Sequence, residues 1–187
     1  SMAELAKSKT ILVTGSNPTI NHPIVDLYIR QALAENGAKL IVVDPRKIEL
    51  VKYADLWLRP KPGTDVAWIN GMMNVIWAEN LWDRSFVEKR TEGFPALEPV
   101  IKDFTPGYVE KITGVPAEDL KQAARYYAKA KVAAIVYAMG ITQHTSGTDN
   151  VKSLANLAML CGNIGVEGGG VNPLRGQNNV QGACDMG

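Results

Sequence analysis

The residues with the clearest chemical potential lie in the run Leu174–Gly187, LRGQNNVQGACDMG. It consists of glycine, amide side chains and few large apolar ones. Arg175 stands out in it. A fixed guanidinium matches a carboxylate through two parallel N–H···O bonds. An incidental arginine on a terminal tail fits the pattern as well. Far upstream, Gly15-Ser16-Asn17-Pro18 closes an apolar run and leads into a helical pattern. Backbone N–H groups, a hydroxyl and an amide at a helix start suit a phosphate. The same residues also make an ordinary strand-to-helix turn. The segment is neither a G-x-G-x-x-G fingerprint nor a P-loop.

Two further loops carry carboxylates. Asp44 ends an apolar run in DPR, where an acid commonly takes a ribose hydroxyl. Arg46 beside it can pair with phosphate or stack on a base. A solvated strand-end turn holds such residues too. Asp65 ends KPGTD. A carboxylate accepts from the N1–H and N2–H₂ edge of guanine, an edge adenine lacks. An Asp opening a helix is also a common cap. A fourth polar loop, Met139–Thr148, offers Gln143 and His144. His144 reads more simply as a surface or capping residue.

These loops need a frame to bring them together. TILVTG (10–15) and KLIVVDPR (39–46) read as buried strands of a parallel sheet, ADLWLRP (54–60) as a third, short strand and VAAIVYAMG (132–140) as a further strand. A helix follows the first, with Ile24, Leu27, Tyr28 and Ala32 at helical spacing and Asn36-Gly37 as its stop. Another opens at Thr64-Asp65, with Thr64 or Asp65 as its cap, and a third runs through TDNVKSLANLAML and ends at Gly162 or Gly165. Residues 83–131 hold short amphipathic helices, one after Pro106 and a longer one after Pro116, and read as a helical insertion. The expected fold is α/β: a Rossmann-like, mostly parallel sheet with helices on both faces. The loops at the carboxyl ends of such strands form one binding edge. The glycine-rich C-terminal run shows neither helix nor strand period. One domain over residues 3–187 is expected, Ser1-Met2 reading as a tag scar.

Composition excludes several classes. The 187 residues are 46% hydrophobic and 21% charged, with net charge +1. No bulk charge favours nucleic acid, and no apolar run is long enough for a membrane span. Cys161 and Cys184 have no Cys or His at metal spacing, so neither a zinc site nor a disulfide scaffold is expected.

Taken in order, ILVTGSNPTINHPI, LIVVDPRKIELVKYAD, KPGTDVAWINGMMNVI, KRTEGF, YAMGITQHTSGTDNVKSLANLAMLCGNIG and GVNPLRGQNNVQGACDMG resemble the molybdopterin oxidoreductases. The resemblance is strongest to the catalytic subunit of molybdenum or tungsten formate dehydrogenases. It implies a bis-(molybdopterin guanine dinucleotide) cofactor with molybdenum or tungsten. Carried over by motif, Gly15, Ser16, Asn17, Asp44, Arg46, Gly63 and Asp65 would hold the guanosine and pyrophosphate. Met139, Gly140 and Gln143 would line the cofactor nearer the pterin. Arg175 resembles the arginine that holds formate beside the metal, with Gln177 next to it.

The departures matter as much. The family's metal ligand is a Cys or selenocysteine followed by His, yet Cys161 precedes Gly162 and Cys184 precedes Asp185. Cys161 therefore reads as core. The cysteine cluster for an iron–sulfur centre and the closing C-terminal domain are also absent. The chain reads as a central domain excised from a longer subunit, inactive alone. Its expected partners are formate, the remaining domains and electron-transfer subunits. Rivals are another family member, such as a nitrate reductase or the large subunit of complex I, and a non-catalytic nucleotide-binding module. The intact RGQNNVQG argues against a subunit that has lost its pterin site. The missing G-x-G-x-x-G argues against NAD.

Overall fold

In the computed structural model, which describes residues 1–187, the apolar runs form a five-stranded sheet. The strands are β1 (Thr10–Thr14), β2 (Lys39–Val43), β3 (Leu56–Leu58), β4 (Ala133–Tyr137) and β5 (Gly170–Pro173). Their order is β3-β2-β1-β4-β5 and every pair is parallel. The chain therefore winds one way from β1 to β3 and the other way from β4 to β5. The order reverses between β1 and β4, the point where open α/β sheets form a crevice at their carboxyl ends.

The central strands are buried on both faces, which explains their unbroken apolar character. Side chains alternate. Ile11, Val13, Leu40, Val42, Ala134 and Val136 face helix α2 (Pro23–Asn36), which follows the short α1 (Pro18–Asn21). Leu12, Ile41, Val43 and Ile135 face the other layer. There α3 (Asp65–Ala78) is enclosed by α5 (Phe94–Asp103), α6 (Pro106–Thr113) and α7 (Ala117–Lys129), of which α7 also packs on β1 and β3, with α4 (Arg84–Arg90) in the same layer. That enclosure buries Trp68, Ile69, Met72, Met73 and Ile76 all round α3. A methyl at Gly71 would lie 2.7 Å from Val109, so α6 approaches α3 closely there. The stretch 83–131 thus shares its core with the sheet. Beyond β4 come α8 (Met139–Thr142), α9 (Gly147–Leu160) and α10 (Val180–Met186). No helix is long and apolar enough to cross a membrane.

Several expectations need correction. The inward stripe of α2 is Val25, Ile29 and Ala32, whereas Ile24 and Leu27 are 53% and 60% exposed. The sequence carries two apolar stripes there, and contact with the side chains of β1, β2 and β4 selects Val25, Ile29 and Ala32. The terminal run does contain regular structure. Gly170–Pro173 pairs with Ala134–Tyr137, and α10 is capped by Asn179, whose side chain accepts from Gly182 N at 3.3 Å. Backbone pairing to β4 orders a strand too glycine-rich to display a period. The Met139–Thr148 loop includes the turn α8. At the start of α3, Asp65 is inside the helix, and the Thr64 hydroxyl donates back to the Lys61 carbonyl at 2.7 Å rather than capping forward.

Cys161 is held in the core beside α4. Burial and the neighbouring Asp83 carboxylate push its thiol up to about 12. Cys184 is exposed.

Candidate functional site

The carboxyl ends of β1, β2 and β4 open into a cleft of about 860 Å³. Its tightest point is the junction of β1 and β4. Gly15 turns the chain out of β1 with φ +54°, and its carbonyl accepts from Gly140 N at 3.0 Å. A methyl on Gly15 would sit 2.6 Å from Ile141 N, and one on Gly140 would sit 2.6 Å from the Gly15 Cα. Only two glycines allow these backbones to meet. Their contact fixes the loops after β1 and β4 side by side.

The cleft gathers Gly15, Ser16, Asn17, Asp44, Arg46, Asp65, Met139, Gly140, Gln143 and His144. Asp44 is buried. Its carboxylate accepts from Arg46 N at 2.8 Å, and its carbonyl accepts from the Trp57 indole at 2.9 Å. Arg46 makes only a loose 3.5 Å contact to Asp44, and its side chain is 72% exposed. Asp65 accepts from the Trp68 indole at 3.2 Å. His144 donates to the Gly140 carbonyl at 2.9 Å, the capping role its position suggests. Gly63 lies outside the lining, in the turn before α3, with φ +80° and open space around it.

Arg175 and Gln177 line a smaller hollow of about 240 Å³. The Arg175 guanidinium donates to Gln181 at 3.1 Å, and Gln181 in turn donates to Asp185 at 3.0 Å. The two hollows share Ala138, Met139, Gln143, Leu174 and Gly176, so they adjoin across α8. Residues that pattern reading passed over also line the cleft: Ile20, Asn21, His22, Pro45, Pro60 and Lys61. Lys61 opens the KPGTD loop already singled out for Asp65, and a cation beside a suspected phosphate loop was a usable signal.

Buried polar atoms normally find partners. Here Thr14 Oγ1, Ser16 Oγ, Asn17 Oδ1 and His22 Nδ1 are buried without one. All four belong to residues lining this cleft. They can accept or donate toward a polar ligand. Arg46 and Lys61 bring positive charge to the same cleft, and its volume falls within the range of small-molecule sites. The donor set fits a nucleotide.

Burial raises the Asp65 carboxyl above the usual carboxylate range, with the Trp68 bond and nearby His144 pulling the other way. An acid raised in the folded state binds its proton more readily there than when unfolded. Its stability contribution is therefore lost as pH rises through the raised value. Asp65→Asn is expected to raise the melting temperature of the ligand-free chain at neutral pH. The difference should shrink in acid, where Asp65 is neutral in both states. Thermal melts at the two pH values check this.

A doubly wound parallel sheet with a polar, glycine-floored cleft at its switch point defines an open α/β protein of the kind that takes its ligand at the carboxyl ends of the strands. The chain belongs to the molybdopterin oxidoreductase family, whose model matches residues 1–187. Membership implies a molybdopterin cofactor carrying molybdenum or tungsten. The chain is 52% identical over its whole length to the F420-dependent formate dehydrogenase subunit alpha of Methanocaldococcus jannaschii. It is 51% identical over 98% of its length to formate dehydrogenase H of Escherichia coli. It spans only 28% and 26% of those two relatives. Among solved structures, acetylene hydratase from Pelobacter acetylenicus matches with a TM-score of 0.81 and 28% identity, over 90% of this chain and 25% of that one.

Proposed function

We propose that residues 3–187 form the guanine-dinucleotide-binding domain of a formate dehydrogenase catalytic subunit. The observation that supports this most is the continuity of the two hollows. The orphaned polar atoms of Thr14, Ser16, Asn17 and His22 and the guanidinium of Arg175 border one surface, joined at Met139 and Gln143. Similarity of about half the residues to two formate dehydrogenase subunits supports the substrate.

In this reading Ser16 and Asn17 bind phosphate oxygens or the sugar from the β1 loop, and Arg46 and Lys61 neutralise the pyrophosphate. Asp65 accepts from the guanine edge. Met139, Gly140 and Gln143 line the path toward the pterin. When bound, the cofactor would supply a metal centre that takes up the two electrons released, together with one proton from the broken C–H bond, as formate becomes carbon dioxide. Arg175 pairs with the formate carboxylate through two charge-assisted hydrogen bonds, which fix the direction of its C–H bond. Gln177 adds an amide beside it. The product carries no charge, so the guanidinium loses its hold and carbon dioxide leaves. The remaining domains of the subunit supply the metal ligand and an iron–sulfur cluster, and electron-transfer subunits take the electrons onward.

The test is an assay of the full cofactor-loaded subunit with an artificial electron acceptor. Formate-dependent dye reduction, with no nitrate reduction or acetylene hydration, is expected. Turnover of nitrate or acetylene without formate oxidation would assign the domain to another branch of the family.

A further inference from the structure

His22 joins the two hollows in a way that neither the nucleotide loops nor Arg175 explains. It stands between α1 and α2, and its backbone is held on both sides. Its N–H donates to the Pro18 carbonyl at 2.8 Å, and its own carbonyl accepts from Asp26 N at 3.1 Å. The ring reaches across 153 residues of sequence: Nε2 lies 2.8 Å from the Arg175 carbonyl oxygen. A carbonyl can only accept, so Nε2 carries a hydrogen and donates. In the neutral ring the lone pair then sits on Nδ1. That atom is buried and has no partner in the protein, and His22 lines the cleft.

The other end of the bond is equally informative. Leu174 N donates to the Tyr137 carbonyl at 2.7 Å, as the last rung of the β4–β5 pairing. Beyond it, the main chain of residues 175–178 makes no hydrogen bond to the body of the fold except the one to His22. The guanidinium's own partner, Gln181, belongs to α10, which buries none of its residues. The carbonyl that His22 grips is that of the arginine itself.

We infer that His22 is a positioning residue: its Nε2–H ties the Arg175 main chain to the cleft wall, and its Nδ1 takes a hydroxyl or N–H of the ligand in that cleft. The inference rests on the nucleotide reading of the cleft. One ring then serves both hollows, and a ligand that fixes the ring from the Nδ1 side also steadies Arg175. By linkage, filling the cleft and ordering the arginine segment favour one another.

Limited proteolysis tests this directly, because trypsin cuts at the very carbonyl that His22 holds. The rate of cleavage after Arg175 follows how often that segment is released. It would be measured on this chain by mass spectrometry, with and without GDP, against cleavage at the other lysines and arginines. His22→Ala is expected to speed cleavage after Arg175 about five-fold, the loss of one hydrogen bond, with the other sites unchanged. His22→Gln, whose amide can still donate to the carbonyl, should cut near the wild-type rate. GDP should slow cleavage after Arg175 in the wild type. In His22→Gln, which lacks an acceptor at the Nδ1 position, that protection should shrink. Should His22→Ala accelerate every site by unfolding, His22→Asn removes the reach to Arg175 while keeping a polar group. Equal cleavage after Arg175 in wild type and in the folded variant overturns the tie. Equal GDP protection in wild type and His22→Gln overturns the role of Nδ1. If GDP fails to bind even the wild type, the nucleotide reading and the Nδ1 role fall together, while the ligand-free comparison still decides whether His22 holds the arginine.

Discussion

Arg175→Ala in the full cofactor-loaded subunit is expected to lower kcat/KM for formate about a thousand-fold. Each hydrogen bond to a charged group contributes roughly 1.5–3 kcal/mol, and the guanidinium offers formate two, so about 4 kcal/mol is lost. Formate is small. It has no remote part whose binding could compensate, so losing the arginine removes both the attraction and the orientation of the C–H bond. KM should rise steeply and kcat should fall as well, because a carboxylate without its fork samples many directions. Cofactor content should stay at the wild-type level, since Arg175 lines the smaller hollow and not the nucleotide cleft. Steady-state kinetics with metal and guanine analysis of the same preparation separates the two effects. Near-normal kcat/KM would remove Arg175 from the reading. Arg175→Lys is expected to recover little, because an ammonium cannot present two parallel donors.

Gly15→Ala is expected to destabilise the chain by about 3–5 kcal/mol, placing it among the severe single substitutions. Two costs combine. An L-residue at φ +54° is strained. The added methyl would also lie 2.6 Å from Ile141 N and 2.7 Å from the Gly140 carbonyl carbon. Both are backbone atoms and cannot swing aside, so the ends of β1 and β4 must separate. The Gly140 to Gly15 hydrogen bond at 3.0 Å would be lost with them. For a chain of this size the melting temperature should drop by roughly 10 °C. Gly63→Ala provides the control. Its φ is +80°, but a methyl there meets nothing within 4 Å. It should cost only about 1 kcal/mol. If Gly15→Ala cost no more than Gly63→Ala, the close approach of the two strand ends would not be what fixes the cleft floor.

The central sheet was readable because β1, β2 and β4 are buried on both faces and so appear as unbroken apolar runs. β5 was not. Its pairing to β4 uses backbone groups that every residue carries, and Gly170-Val-Asn-Pro173 shows no side-chain pattern to betray it. The rotation of α2 was misread for a different reason. Ile24 and Leu27 are as apolar as Val25 and Ile29, and only contact with β1 and β2 decides which pair goes inside. In the site, Ser16, Asn17, Asp44 and Asp65 were legible because strand ends in such folds converge on one edge. The part played by His22 was not legible, because its meaning depends on a contact with a residue 153 positions away. Gly63 shared a motif with Asp65, but motif membership does not place a residue in the lining.

The central claim is that this cleft recognises a guanine nucleotide. Calorimetric titration of the 187-residue chain with GDP, with ADP and NAD as controls, tests it most directly. The account predicts that GDP binds, that ADP and NAD bind far more weakly, and that Asp65→Asn removes the preference while raising thermal stability. Equal or tighter binding of ADP or NAD, or a guanine preference that survives Asp65→Asn, would contradict it.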